Sequence, residues 1–174
     1  MPKFIFIPSV DSTVIPLGNI ISQYKFQNNA NDFVGSNNGT ATNLSYVTGL
    51  VGKAGDFSGG TNSQVSIPDA DNLSFGNGTS DVAFSISMLY KQPAGVTNNF
   101  IWKADASNGS TREYLLQYLT SGGGSMYLYL WDGSAFIRGG NSNAIGSLSD
   151  WTHITFTYDG SGLTSGILLY VDGV

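Results

Sequence analysis

The sequence lacks cysteine and is poor in charged residues. Without cysteine, a disulfide framework, a thiolate metal site and a cysteine nucleophile are all excluded. Charged residues make up 11% of the chain, against roughly 25% in ordinary globular proteins. The seven Lys and Arg are spread singly, so no basic patch exists for phosphates, and nucleic acid is not an expected partner. No apolar run approaches the roughly 20 residues of a membrane span, so membrane insertion is not expected either.

What the sequence does contain is alternation of apolar and polar residues, set between clusters of Gly, Asn, Ser and Asp. This pattern predicts strands over residues 81–90, 100–104, 113–119, 126–131, 152–158 and 167–171. The side chains expected to share one face of the first strand are Val82, Phe84, Ile86 and Met88. Turn pairs such as Asp132-Gly133 and Asp159-Gly160 favour positive φ between strands. The 174 residues are therefore expected to form one all-β domain, a two-sheet antiparallel β-sandwich.

Residues 1–23 differ from the rest of the chain, with three of the five prolines. The apolar run at their start ends at Pro8 and is too short for a signal peptide, so no secretion signal is expected. Two interpretations stay open, an extra edge strand of the same domain or an attachment arm that pairs with another subunit by strand addition. The residues that would make either contact are Phe4, Ile5, Phe6 and Ile7.

Three blocks between residues 24 and 174 form an ordered signature. The first contains Asn29, Ala30, Asp32, Gly35, Asn38, Gly39 and Thr40. The second contains Gly49, Gly52, Ala54, Phe57, Gly59, Val65, Ile67 and Pro68. The third contains Trp151, His153, Ile154, Thr157 to Gly160 and Leu169 to Gly173. Together they resemble the laminin-G-like members of the concanavalin A-like lectin/glucanase superfamily.

The resemblance implies a concanavalin A-like jelly roll over residues 24–174 that recognises glycans or proteins outside cells. Family members usually continue beyond the third block, so the sandwich is expected to lack its last strands. Where the family often carries a calcium-binding Asp, this chain has Ser58, with Asn62 downstream. A calcium ion takes six to eight oxygens, for which Asp32 with amides is a thin set. We therefore expect no cofactor, and we expect Asp32 and Asn38 to hold a turn through side-chain to backbone bonds.

Candidate catalytic residues are scarce. Glycoside hydrolysis usually uses two carboxylates, whereas Glu113 is the only Glu and stands beside Arg112, which is typical of an ion-paired residue. The aspartates lie mainly in turns. His153 is the only histidine and has no cysteine or nucleophile elbow to join it. We expect its imidazole to orient a neighbouring strand through a hydrogen bond, and we do not expect an enzyme.

The segment from Met126 to Trp131 is the candidate binding strand. Alternation places Met126, Leu128 and Leu130 on one face and Tyr127, Tyr129 and Trp131 on the other. The aromatic face can stack on sugar rings or anchor a protein, unless a loop, residues 1–23 or another copy covers it. Tyr114 and Tyr118 of the preceding strand extend the same patch if the register places them beside it.

The sequence thus predicts a non-catalytic β-sandwich on an exterior surface. The preferred interpretation is a phage virion structural, decoration or fibre protein that assembles with its own copies or another protein through residues 1–23. A native-looking start without a secretion signal favours it over a piece of a secreted protein. The alternative is a glycan-binding adhesion module, and a glycoside hydrolase that uses Glu113 is a remote third.

Overall fold

A computed structural model of the chain describes residues 20–60, 62–76, 80–91, 97–104, 112–120, 124–141, 145 and 148–174. The chain divides into two compact units, Met1–Leu73 and Ser74–Val174. The described part contains eleven strands, β1 to β11, and every pairing between them is antiparallel. The run Phe4–Ile7 lies outside the described residues, and the arm boundary after residue 23 stays a prediction.

The first unit contains two pairs of short strands. Strand β1 (Thr40–Thr42) pairs with β4 (Gln64–Ser66), and β2 (Ser45–Thr48) pairs with β3 (Lys53–Asp56). The β2–β3 hairpin turns at Gly52, which has a φ of +66°. Strands of three or four residues bury little surface by themselves, so this unit depends on apolar side chains that its loops supply.

The core of the first unit joins the first two sequence blocks. Its buried residues are Tyr24, Phe26, Ala30, Val65, Ile67 and Leu73. The ring of Phe26 packs edge-on against Phe57 with 5.9 Å between centroids. A Cβ at Gly39 would lie 2.4 Å from Cγ1 of Val65, which explains why glycine stands there. The two blocks thus form one packing unit, although 24 residues lie between Gly39 and Gln64, the first residue of β4.

A four-stranded meander forms the first sheet of the second unit. Its order is β6 (Asn98–Ala104), β7 (Arg112–Leu119), β8 (Ser125–Trp131) and β9 (Phe136–Asn141). The side chains that this sheet buries on one face include Ile101, Tyr114, Leu116, Tyr118, Met126, Leu128 and Leu130. Strand β8 therefore alternates as its sequence predicts, because successive side chains of a strand point to opposite faces.

Three strands form the second sheet, in the order β11 (Ile167–Val171), β10 (Thr152–Tyr158) and β5 (Phe84–Tyr90). Its buried side chains are Ile86, Met88, Ile154, Phe156, Tyr158 and Ile167. Small polar residues occupy the intervening positions, as in Ser85 and Ser87. The alternation is typical of an antiparallel sheet with one face on the core.

The two sheets of the second unit pack face to face. Phe84 and Tyr158 of one sheet surround Phe75, which contacts Tyr114 of the other at a ring-centroid distance of 6.4 Å. The sheets also approach closely at Gly139 of β9, where a Cβ would lie 2.4 Å from Cβ of Ile167 on β11. The second unit is therefore a two-sheet β-sandwich, which confirms the predicted fold class.

Most predicted strands of the second unit are present within two residues of their predicted ends. Strands β10 and β11 have the predicted bounds, and β6, β7 and β8 begin one or two residues earlier than predicted. Strand β5 begins at Phe84, and Val82 before it is 61% exposed, so its predicted place on the buried face is wrong. Strand β9 was not predicted from the sequence.

Candidate functional site

A cluster of four aromatic rings lies on the outer face of strands β8 and β9, one of them exposed and three half-buried. We call it the aromatic surface, and its members are Tyr127, Tyr129, Trp131 and Phe136. The rings of Tyr129 and Trp131 stack at 5.4 Å with an interplanar angle of 21°. The ring centroid of Phe136 lies 5.5 Å from that of Trp131, and Phe136 is 55% exposed. The cluster thus presents flat apolar area with polar edges, the combination that sugars and protein partners both use.

The register between β8 and β9 creates this cluster. Trp131 lies opposite Phe136, and Tyr129 lies opposite Arg138. The loop that joins them turns at Asp132, whose Oδ1 accepts hydrogen bonds from the backbone N–H groups of Ser134 and Ala135 at 2.9 and 2.8 Å. These bonds lower the pKa of Asp132 below its ordinary value. An Asp-Gly turn therefore fixes which β9 side chains join the aromatic surface.

Arg138 adds a cation to the aromatic surface. Its guanidinium carbon lies 4.4 Å from the ring centroid of Tyr127 and 5.6 Å from that of Tyr129. Nη1 donates a hydrogen bond to the Tyr129 hydroxyl at 3.3 Å, which raises the pKa of Arg138 further. Phe136 and Arg138 were not identified from the sequence. The Asp132-Gly133 turn was the available signal, because a hairpin turn after a strand implies a partner strand.

Tyr114 and Tyr118 do not belong to the aromatic surface, so their predicted place in it is wrong. They are 3% and 4% exposed and lie opposite Leu130 and Met126, on the core face of the sheet. Leu115 lies beside Tyr129 instead, and Gln117 lies beside Tyr127. The ring of Tyr114 packs against Phe75 and Phe84, and this burial removes its apolar surface from water.

A cavity of about 820 Å³ adjoins the Trp131 end of the aromatic surface. Trp131 and Phe136 line it together with Asp81, Glu113 and Asp132. Its volume lies within the range of ligand sites, roughly 300–1,000 Å³. Carboxylates beside aromatic walls can accept hydrogen bonds from the hydroxyl groups of a sugar.

Glu113, the candidate acid of a hydrolase, has strong local partners. It forms an ion pair with Lys103, and Ser74 Oγ and the Phe75 backbone N–H each donate to its carboxylate at 3.0 Å. These contacts tie Glu113 to strand β6 and to the segment that precedes strand β5.

His153 has a structural environment on the outer face of the three-stranded sheet. Its Nε2 lies 2.7 Å from Oγ of Ser87 on strand β5, and Ser87 Oγ lies 3.0 Å from Oγ1 of Thr155. The backbone N–H of His153 donates to the carboxylate of Asp172 at 2.9 Å. The imidazole thus bonds across to the neighbouring strand, as expected from the sequence.

Asp32 is the centre of a hydrogen-bonded loop in the first unit. It is 8% exposed, and it receives five donors at 2.9 to 3.1 Å, namely Ser22 Oγ and the backbone N–H groups of Gln23, Val34, Gly35 and Asn37. Asn38 Oδ1 accepts from the backbone N–H of Asp32 at 3.0 Å. Asp32 and Asn38 therefore hold a turn, as predicted. A cation at Asp32 would have to displace these N–H groups.

Across the described ranges, no group of three His, Asp or Glu side chains is placed to hold a metal ion. Within the same ranges, no helix has the length and apolarity needed to cross a bilayer.

The second unit is, by its structure, an all-β sandwich with an aromatic cluster on one outer face. A laminin-G-type family model, described as the concanavalin A-like lectin/glucanases superfamily, matches residues 59–174. The chain therefore belongs to the concanavalin A-like lectin/glucanase superfamily. No curated protein and no solved structure matches it. The family match covers the whole second unit, including the aromatic surface.

Proposed function

We propose that the chain is a non-catalytic module that binds glycans through its aromatic surface. The observation that carries this proposal is the cluster of half-buried Tyr129 and Trp131 with exposed Phe136, at centroid distances of 5.4 to 5.6 Å. Pyranose rings present apolar C–H faces that stack on such aromatic groups, while hydroxyl groups at the ring edge bond to polar neighbours. Membership of a superfamily of lectins and glucanases is consistent with a sugar ligand.

The cavity beside Trp131 supports a sugar ligand over a flat protein partner. A concave site with carboxylate acceptors at the end of an aromatic platform suits the edge hydroxyls of one sugar unit. The ion pair between Glu113 and Lys103 supports binding without hydrolysis. Hydrolysis of a polysaccharide that is lost in Glu113→Gln would overturn the non-catalytic part of the proposal.

Glycan-array binding of the wild-type chain and three variants tests the proposal. Trp131→Ala and Phe136→Ala should each weaken binding of every glycan that the wild type retains by about 30-fold, the effect of a hot-spot aromatic residue worth about 2 kcal/mol. Phe33→Ala is the matched control, because Phe33 is also an exposed aromatic residue, at 62%, but lies in the first unit. Unchanged binding in both surface variants would refute the site.

Assembly on a virion through residues 4–7 stays a prediction, since those residues lie outside the described part. Light scattering on the intact chain and on a chain without residues 1–23 separates the two roles. A loss of oligomer on truncation would support an assembly arm, and it would leave the aromatic surface as a separate property.

A further inference from the structure

Arg138 determines the charge that the aromatic surface offers to a ligand. We propose that the glycan is anionic and that Arg138 binds its carboxylate or sulfate group. This inference rests on the proposed function, since it assigns the ligand class of the same surface.

The guanidinium of Arg138 covers part of the aromatic surface on which a sugar would stack. At 4.4 Å from the Tyr127 centroid, it occupies one face of that ring. A ligand that extends along β8 towards Tyr127 therefore contacts a cation there, whereas near Phe136 it contacts exposed ring. The aromatic surface is thus apolar at its Phe136 end and cationic at its Tyr127 end.

The chemistry of Arg138 suits an anion. A guanidinium carries five N–H donors, and its planar fork matches the two oxygens of a carboxylate or sulfate. One hydrogen bond to Tyr129 and the two tyrosine rings hold the group in place, so little side-chain entropy remains to be lost on binding. Among the described residues, Arg138 has no carboxylate partner that an anionic ligand would have to displace.

The carboxylates near Trp131 and the cation at Arg138 determine how an anionic glycan is oriented on the aromatic surface. Asp81 and Asp132 line the cavity at the Trp131 end, where Glu113 is already paired with Lys103. Trp131 is four residues along β8 from Tyr127, which is about 13 Å in an extended strand. An anionic group is repelled at the carboxylate end and attracted at Arg138. The neutral, hydroxyl-rich part of the glycan should therefore lie towards Trp131 and its anionic group over Tyr127.

The overall charge makes the inference testable. With a formal net charge of -5, the chain as a whole repels polyanions, so retention of a polyanion requires a local site. Polyanion binding by this chain would not be explained by a general basic surface.

Paired polysaccharides that differ in charge alone provide the probes. Dextran sulfate is compared with dextran, and polygalacturonate with its methyl ester, as immobilised ligands at about 0.15 M ionic strength. The chain is used intact as wild type, Arg138→Gln and Arg138→Lys. Lys91→Gln is the matched control, because it removes one exposed positive charge from the same unit. Circular dichroism checks that each variant is folded.

We expect stronger retention of the charged member of at least one pair. Arg138→Gln should weaken that binding about tenfold, equivalent to about 1.4 kcal/mol, and Arg138→Lys should restore part of it, because the charge returns without the planar fork. Lys91→Gln should leave it unchanged. A preference within one pair alone tells whether the group is a sulfate or a carboxylate.

Two results overturn the inference, and they differ in what they say of the proposed function. Equal retention of charged and neutral members, lost in Trp131→Ala but not in Arg138→Gln, would keep the glycan site and remove its anionic ligand. No retention of any of the four polysaccharides by the folded wild type, combined with a blank glycan array, would remove both.

Discussion

Replacing Asp32 with Asn tests whether one carboxylate holds the loop that surrounds it. The substitution keeps the shape of the side chain but replaces one acceptor oxygen with an NH₂ donor. If the amide oxygen takes the Oδ1 position, it can still accept from Gln23, Val34 and Gly35. The NH₂ group then faces the backbone N–H of Asn37, which now bonds Oδ2 at 3.1 Å.

We expect Asp32→Asn to lower the free energy of unfolding of the first unit by about 2–4 kcal/mol. A buried N–H without an acceptor costs about 1–3 kcal/mol. The remaining bonds also weaken, because hydrogen bonds to an ionised acceptor are stronger than those to a neutral one. Asn37 is itself 8% exposed, so water offers its N–H little relief.

The variant should also change the response to acid. Burial alone would raise the pKa of Asp32, but hydrogen bonds from Gln23, Gly35, Ser22 and Val34 lower it below its ordinary value. Because the folded-state pKa is depressed, the contribution of Asp32 is complete above about pH 4 and is lost as the pH falls through the folded-state value. Without the carboxylate, this part of the acid sensitivity should disappear.

Amide hydrogen exchange measured by NMR reads the loop directly. The amides of Val34, Gly35 and Asn37 should exchange faster in Asp32→Asn, whereas amides of the second unit should not change. Asp56→Asn is the matched control, since the Asp56 carboxylate accepts from Ser45 and Ser58 in more exposed contacts. Wild-type protection of the three amides, or an unchanged acid transition, would refute the assignment of the loop to this carboxylate.

Three further predictions concern the second unit. Gly139→Ala should lower the free energy of unfolding, measured by urea denaturation, by about 1–3 kcal/mol, because the added Cβ meets Ile167 at 2.4 Å; an unchanged urea midpoint would contradict the close sheet packing. Leu128→Ala should cost about 2–5 kcal/mol in the same assay, while Phe136→Ala should cost under about 0.5 kcal/mol; similar costs would mean that core and surface are misassigned. Burial and a hydrogen bond to a carboxylate raise the pKa of Tyr158 to about 12, and burial also raises the pKa of Tyr24 and Tyr90; Tyr158→Phe should therefore remove one of several late-ionising tyrosines in an absorbance titration, and an unchanged late phase would contradict this.

The strands and their alternation were predictable from sequence wherever the pattern was long. Met126 to Trp131 alternates without a break, and the structure buries Leu128 while it exposes Tyr129 in part. The turn role of Asp32 was also predictable, because Asx side chains bond backbone N–H groups nearby. Such features depend on neighbours in sequence, which a single chain reveals.

The membership of the aromatic surface was not predictable, because it depends on register between strands. A shift of one residue would have moved Tyr114 and Tyr118 from the core face to the outer face. Strand β9 was not predicted, because Gly139 and Gly140 interrupt its apolar pattern. The glycine at 139 is explained only by the other sheet, whose Ile167 leaves no room for a side chain.

The alternation of strand β8 separates two properties that many binding sites combine. Each second residue packs in the core, and the residues between them face outwards, so the two sets can change independently. Tyr127, Tyr129 and Trp131, with the two outward residues of β9, form a set of five positions that can be randomised together. A library at those positions would vary the outer surface of the sheet while the core side chains of β8 stay unchanged.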